Sequence, residues 1–205
     1  MNARSTDDLR PGYDAIVMGV SAGGVHALDQ MLPCFPAGFP LPLIIVQHVY
    51  PQAENRIVGL FDDRCRLHVK EAEEKEPIQA GTVYFAPPNY HLLIEEDRTF
   101  SLSTEERVNF ARPSIDVLFD TALDTYGHRL VGVIMTGANR DGSAGLRRIK
   151  ERGGLTIVQD PKDAESDAMP KAALAATEVD HVLTLKEIGP FLVRLSGDQS
   201  REENP

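Results

Sequence analysis

Ala15-Ile16-Val17-Met18-Gly19-Val20-Ser21-Ala22-Gly23-Gly24 is the stretch that decides the fold. Its apolar first half predicts a buried strand, and its G-x-S-x-G second half predicts a sharp turn with Ser21 at the apex. The spacing of Val25, Leu28 and Leu32 then predicts an amphipathic helix. A strand, a tight turn and a helix in this order are typical of the first unit of an α/β protein.

The predicted turn also has a chemical meaning. The helix that follows it offers free backbone N–H groups and the positive end of its dipole beside the Ser21 hydroxyl. Such a place suits an anion, either a bound phosphate or the oxyanion that forms when serine attacks a carbonyl carbon. The turn has neither the G-x-G-x-x-G spacing of dinucleotide-binding strands nor the G-K-[ST] of a P-loop. A phosphate- or nucleotide-binding domain and a serine hydrolase both remain open at this point.

Composition limits the classes of function. The 205 residues suffice for one domain, which we expect at residues 13–195 between polar, flexible tails at 1–12 and 196–205. Acidic residues (31) outnumber basic ones (21), and the net charge of −10 argues against nucleic-acid binding and against docking on anionic lipid. The N-terminus lacks the apolar core of a signal peptide, and no apolar run reaches the roughly 20 residues of a membrane span. We therefore expect a cytoplasmic protein without membrane insertion.

Strand-like and helix-like segments alternate along the chain, which predicts an α/β fold with a doubly wound, mostly parallel, Rossmann-like sheet. Turn signals such as Pro77, Gly81 and Pro87 divide residues 67–104 into short pieces and predict an antiparallel excursion at one edge. Ser114 is predicted to cap the helix that follows it. The predicted strands are 15–18, 43–46, 67–69, 83–86, 92–95, 130–135, 155–158 and 181–183, and the predicted helices are 24–32, 53–61, 114–126, 143–152, 169–176 and 185–195.

Polar residues follow the three most apolar strands. In an open α/β sheet the carboxyl ends of parallel strands share one edge, where ligands bind. Those strands end at Ser21, at His48 and in the loop that contains Asp141. Serine, histidine and aspartate are the residue types of nucleophilic acyl transfer. Taken singly, each also has a structural interpretation, as a helix-start serine, a strand-tip histidine and a turn aspartate. The order Ser…His…Asp differs from the Ser…Asp…His of α/β-hydrolases.

Several short motifs along the chain carry a family resemblance. They are G-V-S-A-G-G at 19–24, Q-H at 47–48, V-K-E-A-E at 69–73, Y-F-A-P-P-N-Y-H at 84–91, R-P-S-I-D-V-L-F at 112–119, the loop at 132–142 and M-P at 169–170. In this order they resemble the catalytic domain of the chemotaxis protein-glutamate methylesterases, the CheB family. The likeness extends from about Tyr13 to Leu195.

The resemblance implies hydrolysis of glutamate γ-methyl esters on the cytoplasmic helices of methyl-accepting chemoreceptors, with release of methanol. It also implies deamidation of certain receptor glutamines, and it implies neither a metal ion nor an organic cofactor. The family's catalytic serine, histidine and aspartate correspond to Ser21, His48 and Asp141. The positions implied around the oxyanion and the substrate are Ala22, Gly23, Ala138 and Met169.

The chain departs from the family pattern at several places. Ala22 stands where the family usually has Ser or Thr, and Ala138-Asn139 replaces the usual Met-Gly. Typical members carry an N-terminal receiver domain, for which the residues before the first strand leave no room. We therefore expect an enzyme that is open without gating, one gated by a separate receiver protein, or a fragment of a longer chain. The alternative to an enzyme is a catalytically retired family member that acts as a chemosensory interaction module.

Overall fold

The computed structural model describes residues 12–48 and 56–197, which form nine strands and six α-helices. The strands are β1 (Ala15–Val20), β2 (Leu43–Gln47), β3 (His68–Glu71), β4 (Thr82–Phe85), β5 (His91–Ile94), β6 (Phe100–Ser103), β7 (Leu130–Ile134), β8 (Leu155–Gln159) and β9 (His181–Leu183). The helices are α1 (Gly24–Met31), α2 (Arg56–Asp62), α3 (Ile115–Tyr126), α4 (Ser143–Glu151), α5 (Ala168–Ala176) and α6 (Leu185–Gly197).

Seven of these strands form one sheet in the order β3-β4-β2-β1-β7-β8-β9, and each neighbouring pair is parallel. The order reverses at β1, which lies between β2 and β7. In this register Gly19 pairs with Val46 on one side and with Ile134 on the other. The ends of the three strands therefore lie side by side, as expected at the switch point of a doubly wound sheet. The predicted fold class is confirmed.

Helices cover both faces of the sheet because its apolar side chains alternate between two cores. Ile16 and Met18 of β1 pack with residues of α1, α2 and α6. Ala15 and Val17 face the other way, toward α3, α4 and α5. Every residue of β1 is buried, as expected for a strand covered on both sides. Such a strand holds the residue at its tip on a rigid support.

The predicted antiparallel excursion is smaller than expected. β3 and β4 pair in parallel and extend the main sheet, so the prediction is wrong for this part of the segment 67–104. The antiparallel pairing is confined to β5 and β6, which form a separate two-stranded sheet packed on α3. The sequence pattern misses β6 as a strand. Its side chains are mostly half-buried, and the apolar alternation is correspondingly weak.

Most of the two predicted tails cannot be compared with the structure. Residues 1–11 and 198–205, which include most of the two predicted tails, lie outside the described residues, whereas α6 continues through Gly197. Residues 53–55 of the second predicted helix also lie outside them. Among the described helices, none combines the length and the apolar character of a membrane span.

Candidate active site

Ser21 follows the central strand directly, and its backbone is held from three sides. Its N–H donates to the carbonyl of Thr136, at 2.9 Å. Its own carbonyl accepts from the N–H of Gly24, at 2.8 Å, and from Nε2 of Gln47, at 3.0 Å. The turn passes through Gly23, whose φ of 79° lies in the left-handed region that favours glycine. The backbone of Ser21 is therefore held by residues at the ends of β2 and β7, the two strands that neighbour β1.

The polar groups at the tip of the turn are free. Within the described residues the Ser21 hydroxyl makes no hydrogen bond, and the backbone N–H groups of Ala22 and Gly23 donate to no acceptor. Ala22 is exposed and Ser21 half-buried. A cleft of about 460 Å³ opens beside them, and the ion pair of Arg64 and Asp29, with an N–O distance of 2.6 Å, lies on its wall. The lining of this cleft includes Ser21 but neither His48 nor Asp141.

His48 follows β2 and is held next to the serine turn by its backbone, since its N–H donates to the carbonyl of Val20 at 3.0 Å. The side chain of His48 is 13% exposed. Each of its ring nitrogens has a polar partner. Nε2 lies 3.0 Å from Oδ2 of Asp141, and Nδ1 lies 3.3 Å from Nδ2 of Asn139. No hydrogen bond joins the ring to the Ser21 hydroxyl in this structure.

Asp141 has a side chain with no exposed surface, and its carboxylate is surrounded by donors. Two of these are backbone N–H groups of the first turn of α3, which have no acceptor within their own helix. Asp141 therefore caps α3 from a separate loop, and the positive end of the helix dipole favours its negative charge. The donors are Nε2 of His48 (3.0 Å), Nδ2 of Asn109 (2.9 Å), Oγ of Ser114 (2.8 Å), N of Ile115 (2.7 Å) and N of Asp116 (3.3 Å).

These contacts decide the charge of Asp141. Burial alone raises the pKa of its carboxyl, but the hydrogen bonds from His48, Asn109 and Ile115 lower the pKa by more, so that it lies below its ordinary value. The side chain is therefore an anion at neutral pH. An anion at Oδ2 requires a proton on Nε2 of neutral His48, which leaves the lone pair of that ring on Nδ1.

A second buried carboxylate supports the first. Asp116 accepts from the N–H of Gly145 at 2.6 Å and from Nδ2 of Asn109 at 2.7 Å. Burial, and secondarily the charge of Asp141, raise the pKa of Asp116, while the hydrogen bonds from Gly145 and Asn109 offset part of that shift. The single Nδ2 of Asn109 thus bridges the two carboxylates. It separates two negative charges that would otherwise repel each other in a buried site.

Asn109 reaches this position from a two-residue turn. Val108 and Ala111 exchange backbone hydrogen bonds of 3.2 and 2.9 Å, and the two residues between them both have positive φ, 52° at Asn109 and 64° at Phe110. Hairpin turns of this kind favour asparagine, whereas a bulky residue at positive φ is uncommon. Asn109 points inward to the carboxylates, and Phe110 is 96% exposed.

The remaining predicted site residues have different surroundings. Ala138 is exposed in the loop between β7 and α4, on the same edge of the sheet as Ser21. Met169 differs from the expectation of a substrate contact: its side chain is fully buried. Its N–H donates to the carbonyl of Gly137 at 2.9 Å, and a Cβ at Gly137 would lie 2.7 Å from its sulfur, so that Met169 supports the loop from behind.

Ser114 also differs from the prediction. It occupies the N-cap position of α3, but its hydroxyl donates to Asp141 instead of accepting from its own helix. The sequence pattern missed Asn109, which stands in no motif, and it treated Asn139 only as a departure from the family pattern within the loop at 132–142. His91 is buried and structural. Its Nδ1 accepts from the Ser114 N–H at 3.2 Å, and its Nε2 donates to the carbonyl of Glu106 at 3.0 Å.

Together, these groups can perform nucleophilic chemistry. A free hydroxyl, a histidine oriented by a buried anion, and unpaired N–H groups at a helix start are the parts that acyl transfer requires. In the described part of the chain, no group of three or more His, Cys, Asp or Glu side chains is arranged to hold a metal ion.

Comparison with known proteins gives consistent matches over this whole region. The family model for CheB methylesterase matches residues 16–192. A Leptospira interrogans protein is 54% identical over 191 residues, which are 93% of this chain and 98% of that protein. The crystal structure of the Thermotoga maritima CheB methylesterase catalytic domain superposes with a TM-score of 0.86 at 33% identity and covers 90% of this chain and 99% of that one.

Another relative is about twice as long as the region that it shares with this chain. The protein-glutamate methylesterase/protein-glutamine glutaminase of Pyrococcus abyssi is 35% identical over 187 residues. These residues are 90% of this chain but 51% of that protein, so the chain spans about half of its length.

Proposed function

The chain belongs to the CheB methylesterase family, and from that premise we propose that it is a serine hydrolase acting on glutamate γ-methyl esters of chemoreceptors. Ser21, His48 and Asp141 are its catalytic residues. The observation that carries the proposal is the 3.0 Å contact between His48 and the buried anion of Asp141, on the sheet edge where Ser21 ends β1. The protein acts in the cytoplasm, where the methylated helices of chemoreceptors lie.

The reaction begins with attack of Ser21 Oγ on the ester carbonyl carbon. Nδ1 of His48 takes the hydroxyl proton, because Nε2 already donates to Asp141. The proposed reaction requires that a rotation of the serine side chain bring its hydroxyl to that nitrogen, and catalytic hydrogen bonds of this kind often form only when substrate is bound. The anion of Asp141 then stabilises the imidazolium without taking its proton.

The tetrahedral intermediate carries its negative charge on the former carbonyl oxygen. The N–H groups of Ala22 and Gly23 are the donors we assign to it, since both lack an acceptor within residues 12–48 and 56–197 and stand at the start of α1. When the intermediate collapses, methanol leaves with the proton from His48, and an acyl-serine remains. Water, activated by the same histidine, hydrolyses the acyl-serine and restores the free enzyme.

A receptor glutamine follows the same sequence of steps, with ammonia in place of methanol as the leaving group. The double name of the Pyrococcus abyssi relative supports both reactions for this chain. Nδ1 of His48, once it holds the proton taken from Ser21, protonates either leaving group, so that no further residue is required. A separate receiver protein is the regulatory partner that we propose.

Methanol release from a methylated chemoreceptor cytoplasmic fragment tests the proposal. Ser21→Ala should lower kcat by about 10⁴- to 10⁶-fold, because it removes the nucleophile. Ser101→Ala is the matched control: it lies on β6, outside the site, and should keep the full rate. Equal turnover by the wild type and Ser21→Ala would refute the assigned mechanism.

If the wild type releases no methanol, a small activated ester such as p-nitrophenyl acetate separates the remaining explanations. Hydrolysis of this ester that depends on Ser21 would indicate an intact site and an unsuitable receptor fragment. Receptor binding without turnover of either ester would favour the alternative, an interaction module that has lost its activity.

A further inference from the structure

Asn139 contacts His48 at Nδ1, the nitrogen that accepts the Ser21 proton in the proposed reaction. Its Nδ2 lies 3.3 Å from Nδ1 of His48, while its Oδ1 accepts the backbone N–H of Asp141 at 3.0 Å. A backbone N–H can only donate, so the oxygen of the Asn139 amide must face Asp141. The NH₂ group therefore faces the histidine, and Asn139 acts as a donor to it.

The state of the histidine ring follows from its other partner. Asp141 is an anion, so Nε2 of neutral His48 carries the ring proton, and Nδ1 carries the lone pair. Asn139 donates to that lone pair. In the proposed reaction the Ser21 hydroxyl must donate to the same lone pair, and one ring nitrogen accepts one such hydrogen bond in its plane. Asn139 and Ser21 therefore compete for a single acceptor.

The free state of Ser21 agrees with this competition. Its hydroxyl has no hydrogen bond within the described residues, although His48 stands at the end of the adjacent strand. The contact that occupies the ring comes from the Asn139 side chain, so it can be removed by substitution without replacing Ser21, His48 or Asp141.

We propose that Asn139 is a positioning residue that restrains the free enzyme by occupying Nδ1 of His48 until substrate binding brings the Ser21 hydroxyl to it. The inference rests on the proposed function, because it takes His48 as the base that activates Ser21. Asn139 fixes the tautomer that the reaction needs, and it lowers the fraction of enzyme in which serine and histidine are paired.

Turnover of p-nitrophenyl acetate by position-139 variants tests the competition. Asn139→Ala removes the donor, and kcat/KM should rise about fivefold, the equivalent of one ordinary hydrogen bond. Asn139→Asp keeps an oxygen for the Asp141 N–H but presents an acceptor to Nδ1, which then holds a proton and cannot take one from Ser21. Its kcat/KM should fall. Asn89→Ala, an exposed turn asparagine, is the matched control and should leave the rate unchanged.

Nitrogen NMR of protein labelled with ¹⁵N-histidine gives a readout that does not depend on turnover. The chain has 6 histidines, and a His48→Gln sample assigns the two resonances of His48. In Asn139→Ala the Nδ1 resonance should move toward that of a free lone-pair nitrogen, while the Nε2 resonance stays in place. An unmoved Nδ1 resonance, or an ester rate that is unchanged or lower in Asn139→Ala, would overturn the proposal.

The two proposals fail in different ways. If Ser21→Ala retained the wild-type ester rate, the assignment of Ser21 as nucleophile would be wrong. The NMR experiment would still decide whether Asn139 holds Nδ1. If instead Ser21→Ala lost its activity and Asn139→Ala did not gain any, the proposed function would stand and the restraint by Asn139 would not.

Discussion

The turn of Ser21 and the loop of Asp141 are built alike and finished differently. Each follows one of two adjacent central strands and leads into a helix through a left-handed glycine, Gly23 or Gly142. At the first, the hydroxyl and two backbone N–H groups have no hydrogen-bond partner among the described residues, and Ser21 lines a cleft. At the second, a fully buried carboxylate receives donors from His48, from α3 and from the turn at 108–111.

The comparison distinguishes polar groups that are available to bind a substrate from polar groups whose hydrogen bonds stabilise the fold. Free polar groups cost the folded protein little where water reaches them, and they are available to a substrate. The buried carboxylate is stable only because every donor around it is in place, so it cannot move without a large loss. One end of the site is therefore anchored as part of the core, and the other end is left for the substrate to complete.

The largest expected effect comes from replacing the anchored carboxylate. Asp141→Asn turns an NH₂ group toward donors that need an acceptor, and we expect the free energy of unfolding to fall by about 2 to 4 kcal/mol. Ser21→Ala should change it by less than about 0.5 kcal/mol, since the hydroxyl has no partner in the part of the chain that the structure describes. Urea unfolding followed by circular dichroism measures both. Equal losses in the two variants would show that the two ends are not distinct.

The difference in stability between the wild type and Asp141→Asn depends on pH, and the sign of this dependence follows from the pKa of Asp141. The pKa of Asp141 is lowered in the folded state, so its ionised form stabilises the fold above the unfolded-state pKa of about 3.9. That contribution is lost as the pH falls through the lower, folded-state pKa. The stability difference between wild type and Asp141→Asn should therefore be full near neutral pH and shrink in acid. A difference that grew in acid would contradict the charge assigned to Asp141.

The two left-handed glycines form a matched pair for the next effect. Alanine at either position pays the penalty for positive φ, about 1 kcal/mol. At Gly142 the new Cβ would also lie 2.5 Å from Cγ2 of Ile115, in the core, which adds overpacking and gives a total of about 2 to 3 kcal/mol. At Gly23 the new Cβ would lie 2.7 Å from Cβ of Glu165, but Glu165 is exposed and stands in a loop outside the two cores, where the backbone can shift. Thermal or urea unfolding should rank Gly142→Ala clearly below Gly23→Ala, and the reverse order would contradict the comparison.

A smaller effect than that of Gly142→Ala concerns the bridge between the carboxylates. Asn109→Ala removes a donor from Asp141 and from Asp116, and we expect it to cost about 1 to 2 kcal/mol. Asn89→Ala is the control, because Asn89 also has positive φ, 67°, but contacts no carboxylate in the described residues. Subtracting the two unfolding free energies removes the backbone penalty. No remaining difference would mean that the bridge does not stabilise the site.

Much of the site could be predicted because it follows from strand ends. Ser21 and His48 each come directly after a continuous apolar run, and parallel strands place such residues on one edge. The sequence pattern does not contain the support of Asp141. Asn109 and Ser114 are 32 and 27 residues away from it along the chain, and their contacts depend on how the start of α3 packs against the loop.

The errors in the fold have a similar origin. Turn signals between β3 and β4 predict that the chain reverses, but they do not determine which edge of the sheet the next strand joins. β4 pairs with β2 as well as with β3, and this second pairing spans residues far apart in sequence. The burial of Met169 is equally hard to predict, because a motif gives the position of a residue in the chain but not which side of the loop its side chain faces.

The central position of β1 determines when its two edges can be paired during synthesis of the chain. Ala15 pairs with Leu130, so during synthesis β1 waits for β7 before its second edge is covered. Pairings so distant in sequence form slowly and leave apolar strand edges exposed in the meantime. The step that closes the sheet also delivers the loop of Asp141 to His48. During synthesis Ser21 and His48 therefore emerge before Asp141, and the histidine lacks its carboxylate partner until the loop after β7 has formed.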